Sequence, residues 1–432
     1  MKRIISQLIG KKFVRNVIVV ATGTAAAQAV ILASSPFITR LYGPETFGIL
    51  GIFTAIIGIV IPIASFTYPT AIVLPTDEKD AKGIAHLSLI ISFIVSILGL
   101  IILLIFNNQI IELFKLQSIE GFLYYIPLLI LFSGFQQVLE QWLIRTNQFK
   151  ITARVTFTHS LIVYGGIVFI GFFYPSANIL VVLTVIGQAL KGIMMLRWAE
   201  GFNLKPNTQN HWFIHIKQLA RKYIDFPLYR ASQSFIDVVT QNLPILFLTS
   251  FFGTAAVGYY SIGRTVLNIP SKFIGKSVGD VFYPRIIKAA NRDEDLVKLL
   301  KKATFYLLLI GLIPYGIVIV AGPFLFSIVF GDGWNQAGEY ARWISIWSLS
   351  SFILQPSIRA LPVLSAQSLH LKITIISLLI RIIALAIGKF VFSSDTDAIA
   401  LFAISSAILN VILIYQTFYI SKKFSKGDKE IF

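Results

Sequence analysis

Twelve apolar segments of similar length, separated by short polar stretches, constrain this chain more than any single residue does. They cover approximately 17–38, 46–67, 84–106, 122–143, 154–174, 178–198, 228–250, 255–275, 303–323, 341–362, 370–391 and 398–420. Each is close to the ~20 residues a helix needs to cross about 30 Å of hydrocarbon. In lipid the backbone must satisfy its own hydrogen bonds, so such segments become helices. Of 432 residues only 13% are charged, about half the soluble average of roughly 25%. The expected fold class is therefore an all-α integral membrane protein with about twelve transmembrane helices. The first segment follows MKRIISQLIGKKFVRN, which has the charge pattern of a signal peptide. The segment exceeds the ~7–15 residues of a signal core and is read as an uncleaved span.

The formal charge is +17, and its placement gives the orientation. With the N-terminus inside, the outer loops hold Arg40, Lys115, Arg342 and Lys389, and the spans hold Lys191, Arg230, Arg264, Arg359 and Arg381. Every other Lys and Arg falls on the inner side. This bias places both termini in the cytoplasm and explains the charge without a nucleic-acid partner. Cysteine is absent, which excludes disulfides, Cys-bound zinc and iron–sulfur clusters.

The chain repeats itself. FITRLYGPETFG (Phe37–Gly48) aligns with FLTSFFGTAAVG (Phe247–Gly258) at an offset of 210, with Phe, Thr and both glycines coinciding. Pro62 and Tyr68-Pro69 answer Pro270 and Tyr283-Pro284 with small shifts. An offset near half the chain predicts two six-helix lobes in the same orientation, related by an axis along the membrane normal. The expected division is 1–200, a cytoplasmic linker at 201–226, and 227–432. Within the linker Trp212, Ile216, Leu219 and Tyr223 fall at helical spacing, with His215, Lys217, Arg221 and Lys222 interspersed. That pattern predicts an amphipathic helix on the anionic inner leaflet, with a charged, unstructured linker as the alternative. The run NRDEDLVKLLKK within Pro284–Lys302 reads as a solvated helical face.

Several spans carry one polar stripe on an otherwise apolar helix. Span seven has Arg230, Ser234, Asp237 and Gln241; span eight has Ser261, Arg264 and Asn268; span ten has Ser348, Ser351, Gln355 and Arg359; span eleven has His370, Thr374, Ser377 and Arg381. Lipid rejects such stripes, so they are expected to face a wet interior. At about 1.5 Å per residue, Asp237, Arg264 and Arg381 fall near mid-membrane, and Arg230 and Arg359 nearer the cytoplasm. A span-centre arginine costs about 2.5–3.5 kcal/mol on insertion scales, and Asp237 is the only acid at that depth. The surplus is cationic, which suits an anionic substrate, and the planar guanidinium fork suits phosphate.

In the first half, span six offers Thr184, Gln188 and Lys191, and span four offers Ser133, Gln136, Gln137 and Glu140, with Arg145 just beyond. Blander roles stand beside these. Arg230, Arg359 and Lys191 are placed to snorkel to the inner interface, Arg264 with Asp237 to form a buried brace, and Glu140 to meet Arg145. Enzyme motifs fail. Gly275-Lys276-Ser277 resembles the end of a phosphate loop, but Pro270 stands where its first glycine belongs. His211 and His215 have ligand spacing without a third ligand nearby, so no metal or cofactor is expected.

LARKYIDFPLYR (Leu219–Arg230), FFGTAAVGYYSIGRTVLNIPSKFIG (Phe251–Gly275), VFYP (Val281–Pro284), RLYGPETFG (Arg40–Gly48) and QWLIRTNQF (Gln141–Phe149) resemble the bacterial polysaccharide flippases. These are Wzx-type exporters of O-antigen or capsule repeat units in the MOP superfamily, which also holds MATE exporters and the lipid II flippase. The resemblance implies two six-helix lobes around a central cavity that opens alternately to the two sides. It implies an undecaprenyl-pyrophosphate-linked oligosaccharide as substrate, moved from the inner to the outer leaflet of the cytoplasmic membrane. It also implies drive by an ion gradient, H+ or Na+, with a polysaccharide polymerase and glycosyltransferases as partners. By position type, Arg230, Arg264, Arg359, Arg381 and Lys191 are the expected pyrophosphate contacts, and Asp237 and Glu140 the coupling or pairing acids. Ser234, Gln241, Asn268, Gln355 and Ser377 are the expected polar lining. A MATE-like exporter of organic cations and a membrane polymerase or ligase are the alternatives. The first expects more acids than arginines, the second a reactive constellation and a large outer loop.

Overall fold

The computed structural model describes residues 2–202, 212–271, 282, 285–287, 289–290, 294–364 and 366–424, and side chains outside 2–18, 21, 213 and 367. The motif at Gly275–Ser277, His211, Val281 and the Tyr283-Pro284 pair lie outside the described residues. Two compact units divide the chain, Met1–Ser250 and Phe251–Phe432.

The first unit contains α1 (Lys2–Ala64), α2 (Glu78–Phe114), α3 (Tyr125–Arg145), α4 (Phe149–Gly171), α5 (Ala177–Trp198), α6 (Trp212–Lys222) and most of α7 (Ser232–Phe251). The second contains α8 (Thr254–Pro270), α9 (Leu296–Phe330), α10 (Asn335–Ile353), α11 (Gln355–Ala360), α12 (Gln367–Phe390) and α13 (Asp395–Phe424). Among the described residues eight helices are long and apolar enough to cross a bilayer. One of them, within α1, runs 43 residues from Thr22 to Ala64, about twice a membrane thickness at 1.5 Å per residue. It folds at Gly43 and supplies two spans. The remaining spans, α3, α8 and α10, are those that carry Glu140, Arg264 and Arg342.

Large apolar side chains stand exposed in helical stripes. On α9 these are Phe305, Leu309, Ile313, Ile317, Val320 and Phe324; on α12 they include Ile375, Leu379, Ile382 and Ile383. Water would not tolerate such patches, whereas lipid does. The protein is a multi-pass, all-α membrane protein.

The internal repeat is visible in local geometry. Gly43 (φ 69, ψ 170) and Gly253 (φ 89, ψ −179) occupy the same glycine-only backbone region, at the offset of 210 that the sequence alignment gives. Thr39 and Thr249, four residues before each glycine, are both buried and donate back to Ser35 O (2.9 Å) and Ile245 O (2.7 Å). Asp77 caps α2 through Lys79 N, and Asp295 caps α9 through Lys298 N. Both capped helices then kink with nearly identical dihedrals, α2 at Phe106 (φ −114, ψ 16) and α9 at Ala321 (φ −115, ψ 15).

A Cβ added at Gly43 or Gly253 would meet nothing within 4 Å, so the requirement there is backbone conformation alone. Gly43→Ala and Gly253→Ala are each expected to destabilise by about 1–3 kcal/mol. The check is the melting temperature of the detergent-solubilised protein, and the two drops should be similar.

Within the first unit, a Cβ at Gly58 of α1 would stand in ordinary contact with Asn242 and Val238 of α7. One expectation changes. The linker helix α6 forms, but its apolar ridge faces protein rather than lipid. Ile216 and Leu219 are buried, against Leu87 and Ala85 of α2 among others. Gly83 lies under this ridge: a Cβ there would fall 2.5 Å from Leu219 Cδ1, and that side chain would have to turn. His215 Nε2 meets Asp80 at 3.3 Å, Trp212 stacks edge-on against His86 at 5.4 Å, and the Tyr68 hydroxyl donates to Ala220 O at 3.0 Å. Lys217, Arg221 and Lys222 stay exposed.

Candidate functional site

In the second unit, α13 carries a buried polar stripe, Ser406, Asn410, Thr417 and Ser421. Asn410 Nδ2 donates to Ser350 Oγ (2.9 Å) and Ser351 Oγ (3.0 Å) of α10, tying the two helices. One turn away, Arg381 of α12 donates from Nε to Ser406 Oγ at 2.9 Å. Its guanidinium lies 5.9 Å from the Trp347 ring and 5.8 Å from the Phe402 ring, which pack edge to face at 5.2 Å. These distances are at the outer limit of cation–π attraction. Among the described residues no carboxylate pairs with Arg381. Tyr260 of α8 is fully buried, its hydroxyl has no hydrogen-bond partner, and the charges of both Arg264 and Arg381 act on it. One residue of each stripe on spans eight and eleven, Arg264 and Arg381, is thus within electrostatic reach of that phenol. Ser377, a turn before Arg381, is buried, and Asn268, a turn after Arg264, is half-buried.

The stripe on span ten is broken. The helix ends at Ile353 and restarts at Gln355 ahead of Pro356, which lacks the N–H to continue the ladder. Gln355 Nε2 donates to Ser351 O at 3.4 Å, and Arg359 lies exposed on the short α11 beyond the break.

In the first unit, Lys191 of α5 and Glu140 of α3 form an ion pair at 2.9 Å. Gln136 Nε2 also donates to the same carboxylate oxygen at 2.7 Å, and Gln188 Nε2 donates to Ser133 Oγ at 3.3 Å. The alternative that Glu140 meets Arg145 is overturned. Arg145 instead donates to four carbonyls of the turn before α2, Ile72 O (3.0 Å), Pro75 O (2.6 Å), Thr76 O (3.4 Å) and Asp77 O (3.3 Å). A guanidinium satisfies such a cluster of helix-end acceptors with its fixed fork of donors.

On α7 and the π-turn Phe226–Ala231 before it, Arg230, Asp237 and Gln241 are exposed and Ser234 is half-buried. Arg230 sits 5.9 Å from the Phe226 ring. Asp237 belongs to the first unit and Arg264 to the second. Sequence reasoning missed Tyr260, Ser406 and Phe402. The spacing of Ser406, Asn410, Thr417 and Ser421 on span twelve is helical and was the available signal for Ser406; nothing in the sequence singles out Tyr260.

The fold is shared with solved transporters of the MOP superfamily. An inward-facing multidrug resistance MATE family transporter of that superfamily matches with a TM-score of 0.73 at 12% identity, over 94% of this chain and 96% of that one. The lipid II flippase MurJ, in an inward closed conformation, matches with a TM-score of 0.69 at 15% identity, over 94% and 90%. A MOP superfamily transporter from Pyrococcus furiosus, for which a reversed polarity of the binding pocket suggests a different function, matches at 0.60 and 16% identity, over 98% and 97%. No curated protein sequence matches the chain. The polysaccharide biosynthesis protein family matches residues 37–339, well over half of the chain. The chain belongs to that family.

Proposed function

We propose that this protein is a flippase for undecaprenyl-pyrophosphate-linked oligosaccharide repeat units of the O-antigen or capsule type. It moves them from the cytoplasmic to the outer leaflet of the bacterial inner membrane by alternating access, and both its termini are cytoplasmic. The observation that carries this reading is Arg381, a half-buried cation held by one hydroxyl and two ring faces, with no carboxylate among the described residues. A guanidinium in low dielectric without a counter-charge is a site for an anion. Membership of the polysaccharide biosynthesis family supports a glycan as the cargo, and the likeness to the lipid II flippase supports a lipid carrier.

The obstacle to flipping is taking a pyrophosphate and a polar sugar through about 30 Å of hydrocarbon. Arg381 and Arg264 replace hydration of the phosphates near the midplane, while Arg230 and Arg359, exposed toward the cytoplasmic ends of their helices, receive the headgroup. Ser234, Gln241, Asn268, Gln355 and Ser377 line the path, and the prenyl tail stays in lipid. The lobes are 1–200 and 227–432. The correspondence of Gly43 with Gly253 makes α7 and α8 the counterpart of α1, so α7 opens the second repeat. Asp237 is the acid that couples loading to the motion, with H+ or Na+ as the driving ion. A polymerase and glycosyltransferases act on either side of this step. The surplus of arginine over acid disfavours a cation exporter.

Complementation of a flippase-deleted strain, scored for surface polysaccharide, tests the reading. Wild-type protein should restore the polymer, and Asp237→Asn and Arg264→Ala should each lower it about tenfold or more at equal membrane level, the loss of one charge-assisted contact. Full transport by both variants sinks the coupling role.

A further inference from the structure

The Glu140–Lys191 pair has a construction that a static brace does not need. Both members remain partly exposed, with side-chain exposures of 34% for Glu140 and 20% for Lys191. One carboxylate oxygen receives both the Lys191 ammonium (2.9 Å) and Gln136 Nε2 (2.7 Å). Gln136 itself is only 8% exposed, and its own carbonyl oxygen is buried without a hydrogen-bond partner. An amide that donates to a carboxylate can turn over and accept from a carboxylic acid. The buried, unpartnered oxygen of Gln136 thus provides an acceptor for a proton on Glu140.

We infer that Glu140 and Lys191 form a proton-gated oxyanion site, in which protonation of Glu140 releases Lys191 to bind a phosphoryl-type anion. The biological anion rests on the flippase reading above; the gate itself does not. One proton from water adds to the Glu140 carboxylate. The acid O–H donates to the Gln136 oxygen, and Lys191 keeps its proton. The pair passes from neutral to a single positive charge, which the anion balances. At rest the carboxylate occupies the ammonium and excludes anions, so anion and proton load together.

The charged surroundings leave this pair to itself. From α4, His159 faces the Lys191 charge, with its Nε2 buried beside the Gly187 backbone. Arg145 is turned to the carbonyls of 72–77, and Arg154 lies 4.4 Å from the Trp198 ring. On α2, Glu78 pairs with Lys82, and Asp80 meets His215 and Lys222. The charged side chains described on α1 are Arg40 and Glu45, beside the Gly43 turn. Among the described residues His159 is the proton acceptor on which the Lys191 charge acts, and it is the competitor to be tested.

The test uses the full chain in lipid nanodiscs with sulfate, an oxyanion that does not itself titrate near neutral pH. Calorimetry in buffers of different ionisation heat counts protons taken up per anion bound. Wild type should take up about one proton per sulfate at that site. Glu140→Gln should bind sulfate without proton uptake and about tenfold more tightly at pH 7.5, a difference set by freeing one charge-assisted contact. Lys191→Met and the charge-free double variant Glu140→Gln/Lys191→Met should lose both the uptake and that binding. His159→Asn should keep the uptake. Uptake that survives Glu140→Gln, vanishes in His159→Asn, or is missing in wild type overturns the gate. Proton-linked sulfate binding in a protein that fails to restore surface polysaccharide would leave the gate standing and remove the flippase reading.

Discussion

Arg381→Ala is expected to lower surface polysaccharide about 10- to 100-fold in a flippase-deleted strain while leaving the protein as stable as before, or more so. The size follows from losing a charge-assisted contact worth about 1.5–3 kcal/mol, at roughly 1.4 kcal/mol per tenfold. The stability follows from the surroundings. Among the described residues Arg381 has no carboxylate to leave stranded, and its hydrogen-bond partner there is the Ser406 hydroxyl. Removing a poorly compensated half-buried charge relieves a desolvation cost rather than creating one. A structural arginine would give the opposite pattern, with folding and transport falling together. Arg381→Lys keeps the charge but loses the planar fork, so it should recover only part of the activity. Ser406→Ala removes one anchoring bond and should cost less than Arg381→Ala. The measurements are surface polymer at matched membrane level and the melting temperature of purified protein. Wild-type transport by Arg381→Ala would remove this residue from the substrate path.

The second large effect is on packing. At the crossing of α9 and α10, Gly322 and Gly338 face each other. A Cβ at Gly322 would fall 2.6 Å from Gly338 O and 2.9 Å from Arg342 Cγ, and a Cβ at Gly338 would meet Pro323 Cα and the Gly322 carbonyl. Backbone stands on both sides, so no side chain can turn away to make room. Membrane helices associate through such close small-residue contacts because lipid supplies no hydrophobic drive between them. Gly338→Ala is expected to cost about 1–3 kcal/mol or more, the range of overpacking, and Gly322→Ala a similar amount. Gly316 on the same α9 is the control, since a Cβ there meets nothing within 4 Å. Gly316→Ala should be neutral or stabilise by up to about 1 kcal/mol, the helix preference of alanine over glycine. Melting temperatures of the three purified variants separate crossing contacts from helix propensity. Equal shifts for all three would refute the crossing argument.

Much of the site was legible before the fold was known, and residue chemistry explains which part. Arg264 and Arg381 stood out because an ionised group inside an apolar helix is costly wherever that helix packs. Tyr260 did not, because a tyrosine is unremarkable in a span until its hydroxyl proves buried and unpartnered. Lys191 and Glu140 were each visible on a polar face, but they are 51 residues apart, and no local spacing joins α3 to α5. Arg145 was assigned the nearest acid in sequence; the turn at 72–77, more than sixty residues away, offered it four carbonyls instead.

The sequence by itself determined that this is a twelve-span membrane protein, its handed pattern of positive loops, and its internal repeat. These follow from composition and period, since a bilayer demands helices of one length and glycine alone tolerates the turns at Gly43 and Gly253. Only the tertiary structure decided which charges are compensated. It left Arg381 without an acid among the described residues and gave Glu140 to Lys191. It also turned the apolar ridge of α6 onto α2. The physical reason is the same in each case. Compensation and packing depend on which helices are neighbours, and neighbourhood in a bundle is set by long-range contacts that no stretch of chain encodes alone.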